Sequence, residues 1–444
     1  MSEVKVIGAG LAGCEAAWQL ARRGHSVTLF EMKPQRRTPA HHSDDFCELV
    51  CSNSLRSNEL FNAVGLLKEE MRRMGSVVMR CADSHAVAAG GALAVDRAAF
   101  SRAVTEAIEG CESIEIVREH VDKIPRGEPV IVATGPLTTP ELCGDIEGIF
   151  GKSGLWFYDA AAPIVTFDSI DMDSAFFGSR YGRGTPDYIN CPMTEDEYNA
   201  FYDALVSAEE APTHNFESVK VFEGCMPVEE MAKRGRDTLR YGPLKPVGIR
   251  DERRPQERFY AVVQLRRDNA AGELYNIVGF QTHLKFPEQK RVFSMIPALK
   301  NAQFARYGVM HRNTYINSPG MLDRFYRLRE DNMLMFAGQM TGVEGYVESA
   351  SSGLMCGLNM ARMLEGREPI DLGLKTASGA LAHYVSNEGI TDFVPMNINF
   401  GIMEALDVRV RGKGKKRTKN ELISERALEH LSEVLRLNCE EEYR

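Results

Sequence analysis

The chain begins with a glycine-rich turn that narrows the choice of fold more than any other feature. Residues 4–10, "VKVIGAG", are an apolar strand that runs into this turn, and residues 11–24, "LAGCEAAWQLARRG", have the pattern of a helix that ends at a glycine. Residues 25–32, "HSVTLFEM", then read as a second strand. This order predicts a βαβ unit that carries a Gly-x-Gly-x-x-Gly motif.

Each glycine of the motif has its own physical role. Gly8 makes the turn, Gly10 lets the backbone approach a pyrophosphate, and Gly13 permits close packing of helix on strand. Glu31 ends the second strand, where a carboxylate can accept a hydrogen bond from a ribose 2′-hydroxyl. The unit therefore predicts a dinucleotide site, and its expected contacts are Gly8, Ala9, Gly10, Leu11, Ala12, Gly13 and Glu31.

Two later segments favour FAD over NAD as this dinucleotide. Residues 128–142, "EPVIVATGPLTTPEL", read as a strand and a turn of the kind that two-dinucleotide flavoproteins place against the adenine end. Residues 332–364 repeat the order strand, glycine turn and helix, and the helix start would direct N–H groups at a flavin oxygen. The expected FAD contacts here are Thr134, Gly135, Gly338, Gln339, Gly345 and Tyr346.

The two ends of the chain thus predict one FAD domain that a second module interrupts. Between about residues 165 and 330, short alternating strands mix with prolines and aromatic residues, which indicates an α+β insertion. The predicted fold class is α/β, a Rossmann-like FAD-binding domain of the two-dinucleotide-binding flavoprotein type with an inserted α+β domain. We expect the FAD domain at 1–165 and 331–444, with a basic C-terminal segment, and the inserted substrate domain at 166–330.

Composition limits the setting in which the chain works. Its 444 residues carry a net charge of -9, so the molecule as a whole does not attract nucleic acid. The 10 cysteines are scattered, Met1 leads directly into a strand without a signal peptide, and no run of 18 apolar residues occurs. We therefore expect a cytoplasmic protein with free thiols and no membrane contact. No obligate protein partner is evident.

Two short segments are rich in basic residues, although the chain as a whole is acidic. Residues 250–258, "RDERRPQER", are one, and residues 409–419 are the other. Such a run is either a solvated surface or a patch that contacts phosphates. The cations of the second segment are Arg409, Arg411, Lys413, Lys415, Lys416, Arg417 and Lys419.

Residues 47–57, "CELVCSNSLRS", place Cys47 and Cys51 four positions apart, close behind the glycine turn. They could be a redox pair, metal ligands, core residues or a nucleophile. Their spacing differs from the C-x-x-C or C-x₄-C spacing of disulfide-reducing flavoenzymes. Zinc would need further ligands, and the neighbouring His41 and His42 make no recurring finger pattern, so no metal is expected.

A third thiol, Cys225, lies in "VFEGCMPVEEMAKRG" at the end of a predicted strand. Arg234 and Arg236 follow it about ten residues on, and nearby cations stabilise a thiolate. From the residues alone, Cys225 is either a nucleophile or a small buried apolar side chain.

Four stretches together resemble the folate- and FAD-dependent tRNA (uracil-5-)-methyltransferases of bacteria, nearly end to end. The second and third are specific to that family, whereas the first and last are shared in outline with the longer FAD-dependent tRNA wobble-uridine carboxymethylaminomethyl-modification enzymes. The stretches are "VIGAGLAGCEAAWQLARRGHSVTLFEMKP", "ELVCSNSLRSNEL", "FEGCMPVEEMAKRGRDTLRYGPLKPVG" and "FAGQMTGVEGYVESASSG".

The resemblance implies an activity and its co-substrates. It implies methylation of C5 of the T-loop uridine in tRNA, with carbon from 5,10-methylenetetrahydrofolate, electrons from reduced FAD and NAD(P)H to recharge the flavin. A thiolate must add to C6 of uracil to make C5 reactive, and a base must later remove the C5 proton. The inserted domain would then hold folate and tRNA.

The resemblance also implies roles for single residues. It makes Cys225 the candidate nucleophile and places Cys51 beside the flavin, as the candidate base, although the assignment of the two thiols stays open; Cys47 is then structural. His283 would stack on the folate pterin. The remaining candidate contacts with flavin, folate, uracil or RNA are Ser52, Asn53, Ser54, Arg56, Arg312 and Asn313.

Three other functions compete with this one. The wobble-uridine enzymes carry an additional C-terminal helical domain, and this chain stops at Arg444. An FAD oxidoreductase acting on a small metabolite would leave the paired thiols and the basic segment unexplained. The third is an RNA-binding or chaperone protein in which the flavin is only structural.

Overall fold

The protein is described here by a computed structural model. The structure describes residues 2–38, 40–150, 155–160, 162–182, 184–211, 226–269, 271–308, 310–391, 393–407 and 414–440, with the backbone alone at 155–160 and 310–313. Cys225 lies outside the described residues, and so do the first three cations of the basic segment, Arg409, Arg411 and Lys413.

A six-stranded sheet joins the two ends of the chain. Its order is β16-β17-β7-β1-β2-β6, and its neighbours pair in parallel except β16 with β17. The central strands are mostly apolar, as in the fully buried β7, because helices cover both faces of a parallel sheet. The strands are β1 Glu3–Ile7, β2 Ser26–Phe30, β6 Ile114–Val117, β7 Val130–Val132, β16 Arg327–Leu328 and β17 Asp331–Phe336.

A second six-stranded sheet, with antiparallel pairing, is built from the middle of the chain. Its order is β10-β11-β12-β13-β9-β14. Its strands are β9 Ile164–Thr166, β10 Phe176–Gly178, β11 Tyr188–Met193, β12 Ala261–Arg267, β13 Leu274–Ile277 and β14 Phe304–Arg306. The prediction of a Rossmann-like domain with an inserted α+β domain is therefore confirmed, whereas the boundaries at 166 and 330 stay a prediction.

Two smaller sheets complete the strand pairing. One has the order β3-β5-β4 and the other pairs β15 with β8. The strands are β3 Ser54–Ser57, β4 Ala86–Val87, β5 Ala92–Val95, β8 Leu155–Ala160 and β15 Met310–Tyr315. β3 is the end of the segment with the two cysteines, and its pairing with β5 ties that end to residues 92–94.

Helices cover both large sheets. Those of the FAD-binding domain are α1 Leu11–Arg22, α2 Ala63–Arg73, α3 Val77–Ser84, α4 Arg97–Glu109, α5 Pro140–Phe150, α10 Tyr346–Leu364, α11 Ala377–Val385 and α12 Lys415–Leu437. Those of the inserted domain are α6 Glu195–Val206, α7 Val228–Lys233, α8 Thr238–Tyr241 and α9 Phe286–Phe293. None of the helices in the described part of the chain is both long and apolar enough to cross a membrane.

Glycines set the contact between α1 and α10. A Cβ on Gly353 would lie 2.0 Å from the Ala12 carbonyl oxygen, and one on Gly357 would lie 2.5 Å from that of Ala16. The two backbones therefore touch, which larger residues at these positions would prevent. This contact brings the N-terminal ends of both helices to the same side of the first sheet.

Helix α2 buries a carboxylate against the start of α11. The Glu70 side chain accepts hydrogen bonds from the backbone N–H groups of Ala377 (2.7 Å) and Ser378 (2.8 Å) and from the Ser378 hydroxyl (2.7 Å). It is completely buried. Burial raises the pKa of Glu70 to about 7, against the opposing effect of these hydrogen bonds.

We expect Gly353→Ala to destabilise the protein by about 1–3 kcal/mol, because the added methyl group must push α1 and α10 apart. Gly144→Ala is the matched control, since Gly144 also lies inside a helix but a Cβ there would meet no described atom within 4 Å. The control should be neutral or stabilise by up to about 1 kcal/mol. Equal unfolding free energies for the two variants in a denaturant titration would contradict the contact.

The raised pKa of Glu70 predicts a pH-dependent stability. Between about pH 4.5 and 7, folded Glu70 keeps a proton that the unfolded chain releases, so the free energy of unfolding falls as pH rises. Glu70→Gln should flatten this fall by roughly 1–3 kcal/mol. Denaturant titrations at several pH values would measure it, with the exposed Glu425→Gln as control, and an unchanged pH profile in Glu70→Gln would refute it.

Candidate active site

A cavity of about 480 Å³ lies at the carboxyl ends of β1, β2 and β7. Ligands of open α/β sheets bind at this edge. Most of the predicted site residues line it: Gly8, Ala9, Gly10, Leu11, Ala12, Glu31, Cys51, Ser52, Ser54, Arg56, Thr134, Gly135, Gly338, Gln339, Gly345 and Tyr346. The structure thus brings together the glycine turn, the later glycine segments and the Cys51 segment, residues 47–57.

The glycines of the first turn fit their expected roles. Gly8 has a φ of 100°, and a Cβ there would lie 2.7 Å from the Ala133 carbonyl oxygen. Gly13 lies beneath the turn, where a Cβ would lie 1.7 Å from the Gly8 carbonyl oxygen. A Cβ on Gly10, in contrast, would meet no described atom within 4 Å. Gly10 therefore leaves open space in front of the α1 N-terminus, as close approach of a phosphate requires.

Glu31 lies at the end of β2, where its carboxylate is oriented by backbone donors. It accepts hydrogen bonds from the N–H groups of Ala9 (3.1 Å) and Lys33 (2.9 Å). These bonds fix the side chain at the cavity wall. Each oxygen keeps a further lone pair for a ligand hydroxyl.

The N-terminus of α10 reaches the cavity from the other side. Gly338 and Gly345 precede it with φ angles of 85° and 111°, in the region that favours glycine. A Cβ on Gly345 would lie 2.5 Å from the Glu348 carboxylate. Two helix N-termini therefore meet at one cavity, and each favours a ligand group with negative charge.

Cys51 is in direct contact with Tyr346, the first residue of α10. The Tyr346 hydroxyl accepts a hydrogen bond from the Cys51 N–H (2.8 Å) and lies 2.9 Å from the Cys51 sulfur. Burial raises the pKa of Tyr346 well above its ordinary value, and the contact with Cys51 adds to this. The hydroxyl thus keeps its proton, which it can donate to the sulfur because its oxygen already accepts from the backbone.

Three arginines hold the residues on either side of Cys51. They come from α4, β12 and β14, and therefore from both large domains. Burial lowers the pKa of the Arg266 guanidinium and of the Arg306 guanidinium. The contacts are Arg97 to the Leu49 carbonyl, Arg306 to the Val50 carbonyl and Arg266 to the Ser52 hydroxyl.

A buried lysine fixes the end of the same segment. The Lys68 ammonium, completely buried on α2, donates to the carbonyls of Leu55 (2.7 Å) and Ser57 (2.6 Å). Arg56 between them has a φ of 63°, and its guanidinium pairs with the buried Glu348 carboxylate. Burial lowers the pKa of Lys68 to about 7, and Arg56 adds to this. The backbone at Arg56 is therefore held by both of its neighbours.

Asn53 does not line the cavity, although its neighbours Ser52 and Ser54 do. Asn53 is completely buried; its side chain donates to the carbonyls of Val95 and Arg267, both at 3.0 Å, and accepts from Arg266. Arg312 and Asn313 lie on β15, where the structure describes the backbone alone. Cys47, expected to be structural, is buried and lines the cavity, and burial raises the pKa of its thiol well above the ordinary value.

His283 lies between two carboxylates of the inserted domain. Its Nε2 is 2.7 Å from Glu210, and its Nδ1 is 2.8 Å from the completely buried Glu229. Burial opposes the charged form, but the two carboxylates raise the pKa of His283. Glu210, Glu230 and His283 have atoms close enough to share a metal ion, yet the Lys233 ammonium already contacts both Glu210 and Glu230.

Sequence reasoning missed five residues that shape this site: Lys68, Arg97, Arg266, Arg306 and Glu348. Each lies on a different element of the fold from Cys51. Arg266 and Lys68 gave a weak signal, since each is a charged side chain next to apolar residues of its strand or helix. Charged residues buried in this way need partners, but the sequence does not name them.

The comparisons with known proteins agree with this geometry. Residues 3–368 match the GIDA family model, described as glucose inhibited division protein A. A methylenetetrahydrofolate–tRNA-(uracil-5-)-methyltransferase TrmFO from Acetivibrio thermocellus is 59% identical over 97% of this chain and 98% of its own length. The chain belongs to the TrmFO family. The resemblance expected from the sequence is therefore confirmed.

Other relatives support the same family. The protein of this name from Ligilactobacillus salivarius is 56% identical over 98% of this chain and 99% of its own length. Among solved structures, Aquifex aeolicus GidA in the form I crystal has a TM-score of 0.69 at 16% identity, over 98% of this chain and 76% of that chain. At that identity the likeness shows the fold alone.

We expect Lys68→Met to loosen β3, because two buried carbonyls lose their donor at about 1–3 kcal/mol each. Hydrogen–deuterium exchange of residues 54–57 should quicken, while that of the α10 interior should change little. Lys416→Met on the surface of α12 is the matched control. Unchanged exchange at 54–57 in Lys68→Met would show that this ammonium does not hold the segment.

Proposed function

We infer that this chain methylates C5 of the T-loop uridine in tRNA, using 5,10-methylenetetrahydrofolate as the carbon source and FAD as the redox cofactor. The observation that carries the proposal is the Cys51 segment, held at the wall of a dinucleotide-type cavity by residues of both domains. Relatives 55–59% identical that are named for this reaction support it over the wobble-uridine and small-metabolite alternatives.

FAD fits the residues around the cavity. The open space at Gly10 and the α1 N-terminus suit the pyrophosphate, Glu31 suits the ribose, and the α10 N-terminus suits a flavin oxygen that gains charge on reduction. Bound FAD, in its reduced form, supplies the hydride that completes the methyl group. NAD(P)H would then restore the reduced form.

The protein's own chemistry in this proposal is carried by two thiols. One thiolate adds to C6 of uracil and makes C5 nucleophilic, and C5 then takes the carbon unit. A base removes the C5 proton as the bond from this carbon to the folate nitrogen breaks. The C6–S bond breaks when hydride completes the methyl group, which releases the thiolate. Cys225 is the proposed nucleophile and Cys51 the proposed base. The Tyr346 hydroxyl, 2.9 Å from the Cys51 sulfur, can stabilise its thiolate form or take part in returning its proton.

The described residues on either side of 212–225 support the proposal that Cys225 acts at the cavity. Val228, three positions after Cys225, donates its N–H to the Gln281 carbonyl (2.7 Å), and Gln281 lines the cavity. On the other side of residues 212–225, Ala211 donates to the His283 carbonyl (2.8 Å). Both anchors lie on residues 281–283, the segment that carries the histidine proposed to stack on the folate.

The remaining contacts of the proposal concern folate and RNA. Ser52 and Arg56 line the cavity and can donate to folate or to a uracil carbonyl. The uridine lies inside a folded loop, so the enzyme must extract the base and recognise the tRNA through its shape and phosphates. The C-terminal basic segment and residues 250–258 are the proposed phosphate contacts, and the proposed location is the cytoplasm.

The test is an assay of the purified chain on an unmodified tRNA transcript. With carbon-labelled methylenetetrahydrofolate and NADPH, we expect labelled 5-methyluridine and a yellow protein. Cys225→Ala and Cys51→Ala should each lower the rate by at least about 10²-fold. Cys439→Ala, at an exposed thiol, is the control and should keep the rate. Methyl transfer from S-adenosylmethionine, or full activity of Cys225→Ala, would refute the proposal.

A further inference from the structure

An exposed tyrosine of the inserted domain has an unusual backbone conformation. Tyr181 lies in the sequence Arg-Tyr-Gly-Arg-Gly at residues 180–184 and has a φ of 60°. More than half of its surface, 57%, is exposed. A bulky residue at positive φ is rare and persists only where the surroundings impose it. An exposed ring gains little from folding, so this conformation indicates a use outside the core.

Neighbouring residues hold Tyr181 in place. Its N–H donates to the Gly248 carbonyl (2.6 Å), and the Arg180 guanidinium donates to the carbonyls of Val247 and Lys245. The ring lies against Gly248, where a Cβ would come within 2.6 Å of it. The loop is thus fastened to residues 245–248 before any partner binds, which lowers the entropy lost on binding.

The surface beside this ring is cationic, although the whole chain is acidic. Residues 245–258 contain five Lys or Arg and three Asp or Glu. Two of the three carboxylates, Asp251 and Glu257, are engaged by arginines within the segment. Arg250 and Arg258 are exposed and form no ion pair with any residue in the described ranges.

A continuous sheet face joins this surface to the cavity. Arg180 also donates to the Gln264 side chain (3.3 Å) on β12. Arg266, two residues further along the same strand, lines the cavity and holds Ser52. Residues two apart on a strand share a face and lie about 7 Å apart, so the Gln264 side chain that Arg180 contacts lies about that far from a residue of the cavity wall.

We propose that this surface, the Tyr181 patch (Arg180, Tyr181, Lys245, Val247 and Arg250), binds the substrate tRNA. An unpaired base stacks on the exposed Tyr181 ring, and Lys245 and Arg250 neutralise the adjoining phosphates. Aromatic platforms beside cations are how proteins bind unstacked RNA bases. The proposal rests on the proposed function and adds where the RNA docks.

Binding of an unmodified tRNA transcript tests the patch. Tyr181→Ala should weaken binding roughly tenfold, whereas Tyr181→Phe, which keeps the ring, should stay within about twofold of the wild type. Arg250→Gln should lower the slope of log Kd against log salt by about one. In the methylation assay, Tyr181→Ala should raise KM for tRNA and leave kcat nearly unchanged.

Tyr241→Ala is the matched control, because Tyr241 is 80% exposed on the same domain but lies outside the patch. The proposal would be overturned if a folded Tyr181→Ala bound tRNA as tightly as the wild type, or if Tyr181→Ala and Tyr241→Ala lost the same affinity for tRNA. The surface would then serve a different partner, such as a protein. The wild-type methylation assay separates the two claims. If the wild type methylates tRNA while Tyr181→Ala binds it normally, only the patch fails; a wild type that binds tRNA through the ring without methylating it leaves the patch standing.

Discussion

The close contact between α1 and α10 is the constraint on which the cavity depends. Because Gly353 lies against the Ala12 carbonyl, the N-terminal βαβ unit and a helix more than 300 residues later share one surface. Both helices then begin at the same edge of the parallel sheet. The N-terminal and C-terminal parts of the chain can therefore form one cavity together, although the residues between them form a separate sheet.

The Cys51 segment couples this cavity to the inserted domain. Arg97 and Tyr346 hold it from the FAD-binding domain, while Arg266 and Arg306 hold it from the second sheet. A shift of either domain would therefore move the thiol. The reacting geometry depends on how the two domains are joined as much as on the residues at the cavity wall.

The sequence predicted those site residues whose roles are marked by their neighbours in the chain. Gly8, Gly10 and Gly13 are recognisable because their roles depend on a turn and a helix start that adjacent residues also mark. Arg266 could not be found in this way, because its partner Ser52 is 214 positions away in sequence. Lys68 could not be found either, because its partners are backbone carbonyls, which no residue type marks. The roles proposed for Cys225 and His283 came from the family resemblance, since a thiol or an imidazole has no distinguishing pattern around it.

Helix α2 carries two buried titratable side chains, one acidic and one basic. Lys68 faces β3 and Glu70 faces the start of α11. Residues two positions apart on a helix are rotated by about 200° about its axis, so the side chains of Lys68 and Glu70 point in nearly opposite directions. Inserting or deleting one residue in α2 before Lys68 would rotate both side chains by about 100° about the helix axis. Each would then lose its hydrogen-bond partners. The length of α2 ahead of these two residues is therefore constrained by partners on both sides of the helix, independently of which side chains fill its other positions.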